Sequence, residues 1–213
     1  MWALEELSVD YDIRKFPRPD GLAPPELKDT HPQGKSPQLI LADGRVITQS
    51  TAILLYLFRT YDTAHRFHHP GVDDPVREDQ LIGIGHTDLE SRVVSTRLTF
   101  DALVIKSPFF VRPIMKAVRD TISRTVLDPE IVAILGVLES ELDGREWFMG
   151  GDGPTRPDFS LRFAVDLVVK LRYNNLKDYP RLTAWFDRCE AREAWKRSLE
   201  KGNGYDLDFT SKW

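Results

Sequence analysis

The segment "TRPDFSLRFAVDLVVKL", Thr155 to Leu171, constrains this chain more than any other. Phe159, Leu161, Phe163, Ala164, Val165, Leu167, Val168 and Val169 leave almost no polar side to the helix it predicts. A helix that is apolar nearly all round is stable in water only when other elements cover it, so it belongs at the centre of a helical bundle. Its start is equally well marked. Thr155 and Asp158 have the spacing of a capping box, with Asp in place of the usual Glu or Gln, and Pro157 sits in the first turn. Such a cap contributes about 1 kcal/mol.

The residues expected to surround this helix are also helical. From Pro75 onward there is no convincing strand; two long helices are expected, over roughly 75–105 and 109–143. The amphipathic stretch "PRLTAWFDRCEAREAWKRSLEK" is expected to pack on the outside. The first part of the chain reads differently. "WALEEL" has the character of a helix interior, "YDIRKF" (Tyr11 to Phe16) is a short strand, and "APPELKDTHP" is a short helix with Pro24 or Pro25 in its first turn and Pro32 closing it. "PQLILADGRVIT" is a β-hairpin, and Asp43-Gly44 suits a tight type I′ turn because both turn residues need positive φ. "QSTAILLYLFRTY" follows as a helix, with Ser50 as its N-cap and Ile53, Leu54 and Leu57 on one face. A polar stretch, "DTAHRFHHPGVDDP", divides the two halves. The expected organisation is an N-terminal domain over 1–62, a linker over 63–74 and an all-helical domain over 75–213.

Composition excludes several classes. The formal charge of −4 gives no general electrostatic pull toward nucleic acid or anionic membrane. Cys189 is the single cysteine, so no internal disulfide forms, which fits a reducing compartment. No apolar run approaches the ~18–20 residues of a membrane span, and the N-terminus lacks a secretory layout. A soluble, cytoplasmic protein is therefore expected. His65, His68 and His69 have a metal-compatible spacing but sit in a proline-bounded loop without a fixed acidic or cysteine partner, so no metal site is expected. "GIGH" lacks the third glycine and the preceding strand of a dinucleotide fingerprint. Cys189, beside Trp185 and Phe186, reads as a small buried hydrophobe.

Three stretches together carry a family resemblance. "HPQGKSPQLILADGRVITQSTAILLYL" resembles the glutathione-site core of glutathione S-transferases. "GDGPTRPDFSL" is similar to the capped start of their central C-terminal helix, and "YPRLTAWFDRCEAREAWKRSLEKG" to their C-terminal end, particularly in a fungal-type cytosolic subgroup. The resemblance implies an α/β thioredoxin-like N-terminal domain followed by an all-α helical-bundle C-terminal domain. It implies that Ser36-Pro37 is the family's cis-proline step, that Ser36 pairs with the cysteinyl part of glutathione, that Gln49 and Ser50 hold the γ-glutamyl end, and that Lys35 meets the glycine carboxylate. Many family members place an acidic residue where Gln49 stands, but an amide still hydrogen-bonds a substrate. Each residue also has a plainer reading: Ser50 as a simple cap, Lys35 as a solvated charge, Pro37 as a trans edge-strand proline.

The resemblance further implies that a strand and a loop precede "WALEEL", so a gap in the N-terminal sheet is expected. That gap would come either from a start at an internal methionine or from a naturally shortened relative. The loop is where the family carries its thiol-activating residue, and no catalytic residue is assigned. Activation is a sizeable demand. Lowering a thiol pKa of about 8.5 by two units takes about 2.7 kcal/mol. The function implied is conjugation of the glutathione thiol to electrophilic small molecules, in detoxification or fungal secondary metabolism, with the helical half supplying the apolar pocket. Glutathione enters as co-substrate with no other cofactor, and the protein is expected to be a homodimer. The alternative is a catalytically impaired glutathione-binding or regulatory module with the same fold.

Overall fold

The computed structural model describes residues 1–16, 24–67 and 74–202. The first half holds α1 (Trp2–Glu6), α2 (Leu27–Thr30), β1 (Gln38–Ile40), β2 (Val46–Thr48) and α3 (Ser50–Tyr61). The second half is helical. One rod runs through α4 (Pro75–Gly83), a π-helical stretch (Ile84–Val94) and α5 (Ser95–Lys106). A second runs through α6 (Arg112–Ile122), a π-helical turn (Ser123–Leu127) and α7 (Asp128–Glu141). Then come α8 (Arg156–Lys170), α9 (Pro180–Ala191) and α10 (Glu193–Gly202). The two rods are the long helices the periodicity predicts, displaced by a few residues at their ends.

Helix α8 is the centre. Leu161, Ala164, Val165 and Val168 are fully buried, and the first rod lies directly along it. Close approach there is made possible by Gly85, where an added Cβ would sit 2.9 Å from Leu161 Cδ2. The capping box forms as read. The Thr155 amide donates to Asp158 Oδ2 at 2.8 Å and the Thr155 hydroxyl donates to the same oxygen at 2.7 Å. Asp158 does more than cap, because its Oδ1 accepts from the Phe148 amide at 3.1 Å and from Trp185 Nε1 at 2.8 Å. One buried carboxylate therefore ties α8 to α9 and to the turn before it. Cys189 is buried in this layer, and burial pushes its thiol well above the ordinary range.

Polar groups that periodicity does not show also lie inside. Arg162 is buried, bridged to Asp166 at 2.9 Å and Glu190 at 2.9 Å, with its guanidinium against the rings of Phe186 (3.7 Å) and Trp195 (4.4 Å). The two halves are joined by α1 lying against α10. The Trp2 ring packs on Phe159 at 4.3 Å and on Trp195 at 5.6 Å. Glu6 pairs with Arg192, and Glu5 accepts from Tyr11 (2.7 Å), Arg197 (3.0 Å) and Lys201 (2.6 Å). Burial pushes the Glu5 carboxyl up, but those three donors outweigh it and hold the group down at about 2.

Three local expectations are corrected. Tyr11–Phe16 is not a strand; among the described residues the sheet is the antiparallel pair β1–β2, in register Gln38↔Thr48, Leu39↔Ile47 and Ile40↔Val46. Backbone of that kind needs a ladder partner to become a strand. Here the segment borders a cavity of about 1070 Å³ that is also lined by β1. The hairpin turn is not type I′. Only Gly44 has positive φ (+86°), and the Leu41–Arg45 closure, with Gly44 N donating to Leu41 O at 3.0 Å, makes a three-residue loop with glycine in the left-handed position. The N-cap of α3 is Gln49, with Ser50 its first helical residue. In the segment "HRFHH", His65 is described at a turn with φ +51°, while His68 and His69 lie outside the described residues.

Candidate functional site

The hairpin brings the sequence-predicted residues to one place. Because Gln38 is opposite Thr48, the next residues outward, Pro37 and Gln49, flank the open end of the ladder. Lys35 and Ser36 precede that end on one strand, and Ser50 follows it on the other. Lys35, Ser36, Pro37 and Gln49 are exposed and Ser50 is half-buried. The Ser36–Pro37 peptide is cis, as the resemblance implies.

The turn carrying Lys35 and Ser36 is fixed from beneath. Gly34 adopts φ +60° and donates to His31 O at 2.9 Å; a side chain there would meet Lys28 Cγ at 2.7 Å. Gln38 then acts as a staple. Its Nε2 donates to Lys35 O at 3.0 Å and to Leu27 O at 3.3 Å, while its Oε1 accepts from the Thr30 hydroxyl. The turn is thereby tied to α2. Sequence reasoning missed Gln38 because its partners are set by how α2 folds back on β1, and no local pattern reports that.

The other side of the site is held in an unfavourable conformation. Gln49 has φ +70° and ψ 122°, a region a residue with a β-carbon rarely occupies. Such backbone costs of order 1–3 kcal/mol and persists only where the surroundings impose it, which is common at ligand sites. Helix α3 starts from this residue with no side-chain cap. The first amides of a helix have no intrahelical acceptor, and here the N-cap side chain does not take them up, so they form a donor set suited to a carboxylate at the positive end of the helix dipole. The Gln49 amide reaches Gln33 Oε1 only at 3.5 Å, the outer limit of a hydrogen bond. Lys35 adds a flexible positive charge on the facing turn.

The cavity is a separate feature. Its lining includes Ser36 and Pro37 but not Lys35, Gln49 or Ser50, and every lining residue lies within the first half of the chain. The apolar pocket expected from the helical half is therefore not what this cavity is. Among the described residues no cluster of His, Cys, Asp and Glu suits a metal ion, and no helix is long and apolar enough to cross a membrane.

Taken together, the small α/β N-terminal half, the capped central helix and the helical second half define a glutathione-transferase type of fold. Known proteins agree. A family model described as the N-terminal domain of glutathione S-transferase matches residues 1–60, and one described as the C-terminal domain matches residues 98–193. Glutathione S-transferase 3 of Schizosaccharomyces pombe is 27% identical over 201 residues, covering 94% of this chain and 81% of its own length. Glutathione S-transferase 1 of Saccharomyces cerevisiae is 21% identical over 215 residues, covering 98% and 92%. Among solved structures, a glutathione S-transferase from Xylella fastidiosa superposes with a TM-score of 0.76 at 18% identity, covering 96% and 92%. A glutathione transferase from Phanerochaete chrysosporium in complex with oxidized glutathione gives 0.73 at 21%, covering 95% and 89%. The chain belongs to the glutathione S-transferase family.

Proposed function

We propose that the protein binds glutathione at the open end of the β1–β2 hairpin and transfers its thiol to electrophilic small molecules. Lys35 meets the glycine carboxylate, Ser36 lines up the cysteinyl backbone, and Gln49, Ser50 and the first amides of α3 take the γ-glutamyl carboxylate. The observation that carries this reading is the placement of Gln49: a strained residue opening an uncapped helix, set by register opposite the turn that bears Lys35 and Ser36. A tripeptide with an acidic group at each end matches a lysine on one rim and helix amides on the other. A cytoplasmic homodimer acting in detoxification or secondary metabolism is part of the same proposal.

Retention on immobilised glutathione, with elution by free glutathione, tests binding. Conjugation of a chlorinated dinitrobenzene, followed by absorbance, tests transfer. Wild-type protein is expected to do both, and Gln49→Ala to lose retention. Retention without turnover would leave the non-catalytic glutathione-binding module; no retention would overturn the site.

A further inference from the structure

Gln38 stands beside the site, yet both ends of its side chain are engaged within the protein. Its Nε2 donates to Lys35 O at 3.0 Å and to Leu27 O at 3.3 Å, and its Oε1 accepts from the Thr30 hydroxyl. The carboxamide fits only this way round, because turning it over would set its oxygen against two carbonyl oxygens. Its anchor is firm: Leu27 is 3% exposed, on the buried side of α2.

Holding Lys35 O has a consequence for the next residue. In a planar trans peptide the C=O and the N–H point opposite ways. The Lys35–Ser36 peptide is trans, unlike Ser36–Pro37. With its oxygen drawn toward Gln38 and α2, its N–H, which belongs to Ser36, is directed to the opposite side. The same bond fixes where the exposed Lys35 side chain leaves the turn. One side chain thus sets the main-chain orientation of two residues of the site.

We propose that Gln38 is a positioning residue for glutathione: through Lys35 O it holds the Lys35–Ser36 peptide in the orientation that meets the cysteinyl part of the tripeptide. The inference rests on the reading of the hairpin end as a glutathione site. Calorimetric titration of the full chain with glutathione tests it. Gln38→Ala should bind about tenfold more weakly than wild type. Gln38→Glu is the discriminating variant. Its ionised carboxyl has no donor for Lys35 O; once protonated it regains one, while its other oxygen still accepts from Thr30. Its deficit, measured against wild type at the same pH, should be about tenfold or more at about pH 8 and shrink toward about pH 4.5. At the acid end it should bind more tightly than Gln38→Ala, whereas relief of charge repulsion alone would only bring the two variants level. Wild-type affinity in Gln38→Ala, with a lowered thermal melt, would make Gln38 part of the scaffold only and overturn the inference. A pH-independent deficit in Gln38→Glu overturns it as well, and decides the matter alone should Gln38→Ala fail to fold. No glutathione binding by the wild-type chain overturns the reading of the site itself.

Discussion

Helices α8 and α3 begin in opposite ways. At α8 the cap is closed: Asp158 is fully buried, and its two oxygens accept from Thr155 twice, from Phe148 and from Trp185. At α3 the start is open: Gln49 is exposed, holds φ +70° and makes no cap bond with its side chain. The closed terminus uses its donors to fold the protein. The open one keeps its donors available at a conformational cost, which is what a binding site requires.

The largest break in this contrast is Asp158→Ala. It removes the cap and leaves the Trp185 indole N–H and the Phe148 amide buried without partners, so a loss of about 3–5 kcal/mol is expected in urea unfolding. A loss below about 1 kcal/mol would show that the closed terminus is not where stability sits. Next is Glu5, which ties the open half to α10. Its folded pKa of about 2 lies below the ordinary carboxylate value of 4.5, so the stability it contributes is full above that ordinary value and drains away as pH falls toward 2. Arg197 and Lys201 are half-exposed, and screening reduces the contribution to about 1–2 kcal/mol. Glu5→Gln should therefore lower stability at pH 7 and converge with wild type in acid; a constant difference across pH would refute the assignment.

The open terminus is probed by affinity. Gln49→Gly relieves the positive φ and should leave stability unchanged or raise it by up to about 1 kcal/mol, while weakening glutathione binding severalfold in calorimetry. Equal affinity with lower stability would place Gln49 in the folding scaffold instead. Smallest is Lys35→Gln, with glutathione binding about fivefold weaker at low salt and the difference shrinking as salt is added.

Much of this was legible in the chain itself. The capping box, the apolar run of α8, the two rods and the hairpin are local signals, because each is written in residues a few positions apart. The strand read over Tyr11–Phe16 shows the limit: the β-like pattern is real, but a strand forms only beside a partner, and that segment borders a cavity. Cap assignment at α3 fails for a related reason. Ser50 is a good N-cap by type, yet the preceding residue already sits outside the helix in a conformation that residue type does not favour.

The sequence by itself determined which segments are helical, where α8 is capped and that Asp43-Gly44 turns a hairpin, since short-range sterics and hydrogen bonding settle such features. Tertiary structure alone decided that Gln38 anchors the Lys35 turn to α2, that Asp158 reaches Trp185 and that Glu5 meets Arg197 and Lys201. Most of those contacts join separate elements, α2 with β1, α8 with α9 and, across the two halves, α1 with α10, and their geometry exists only once those elements have packed.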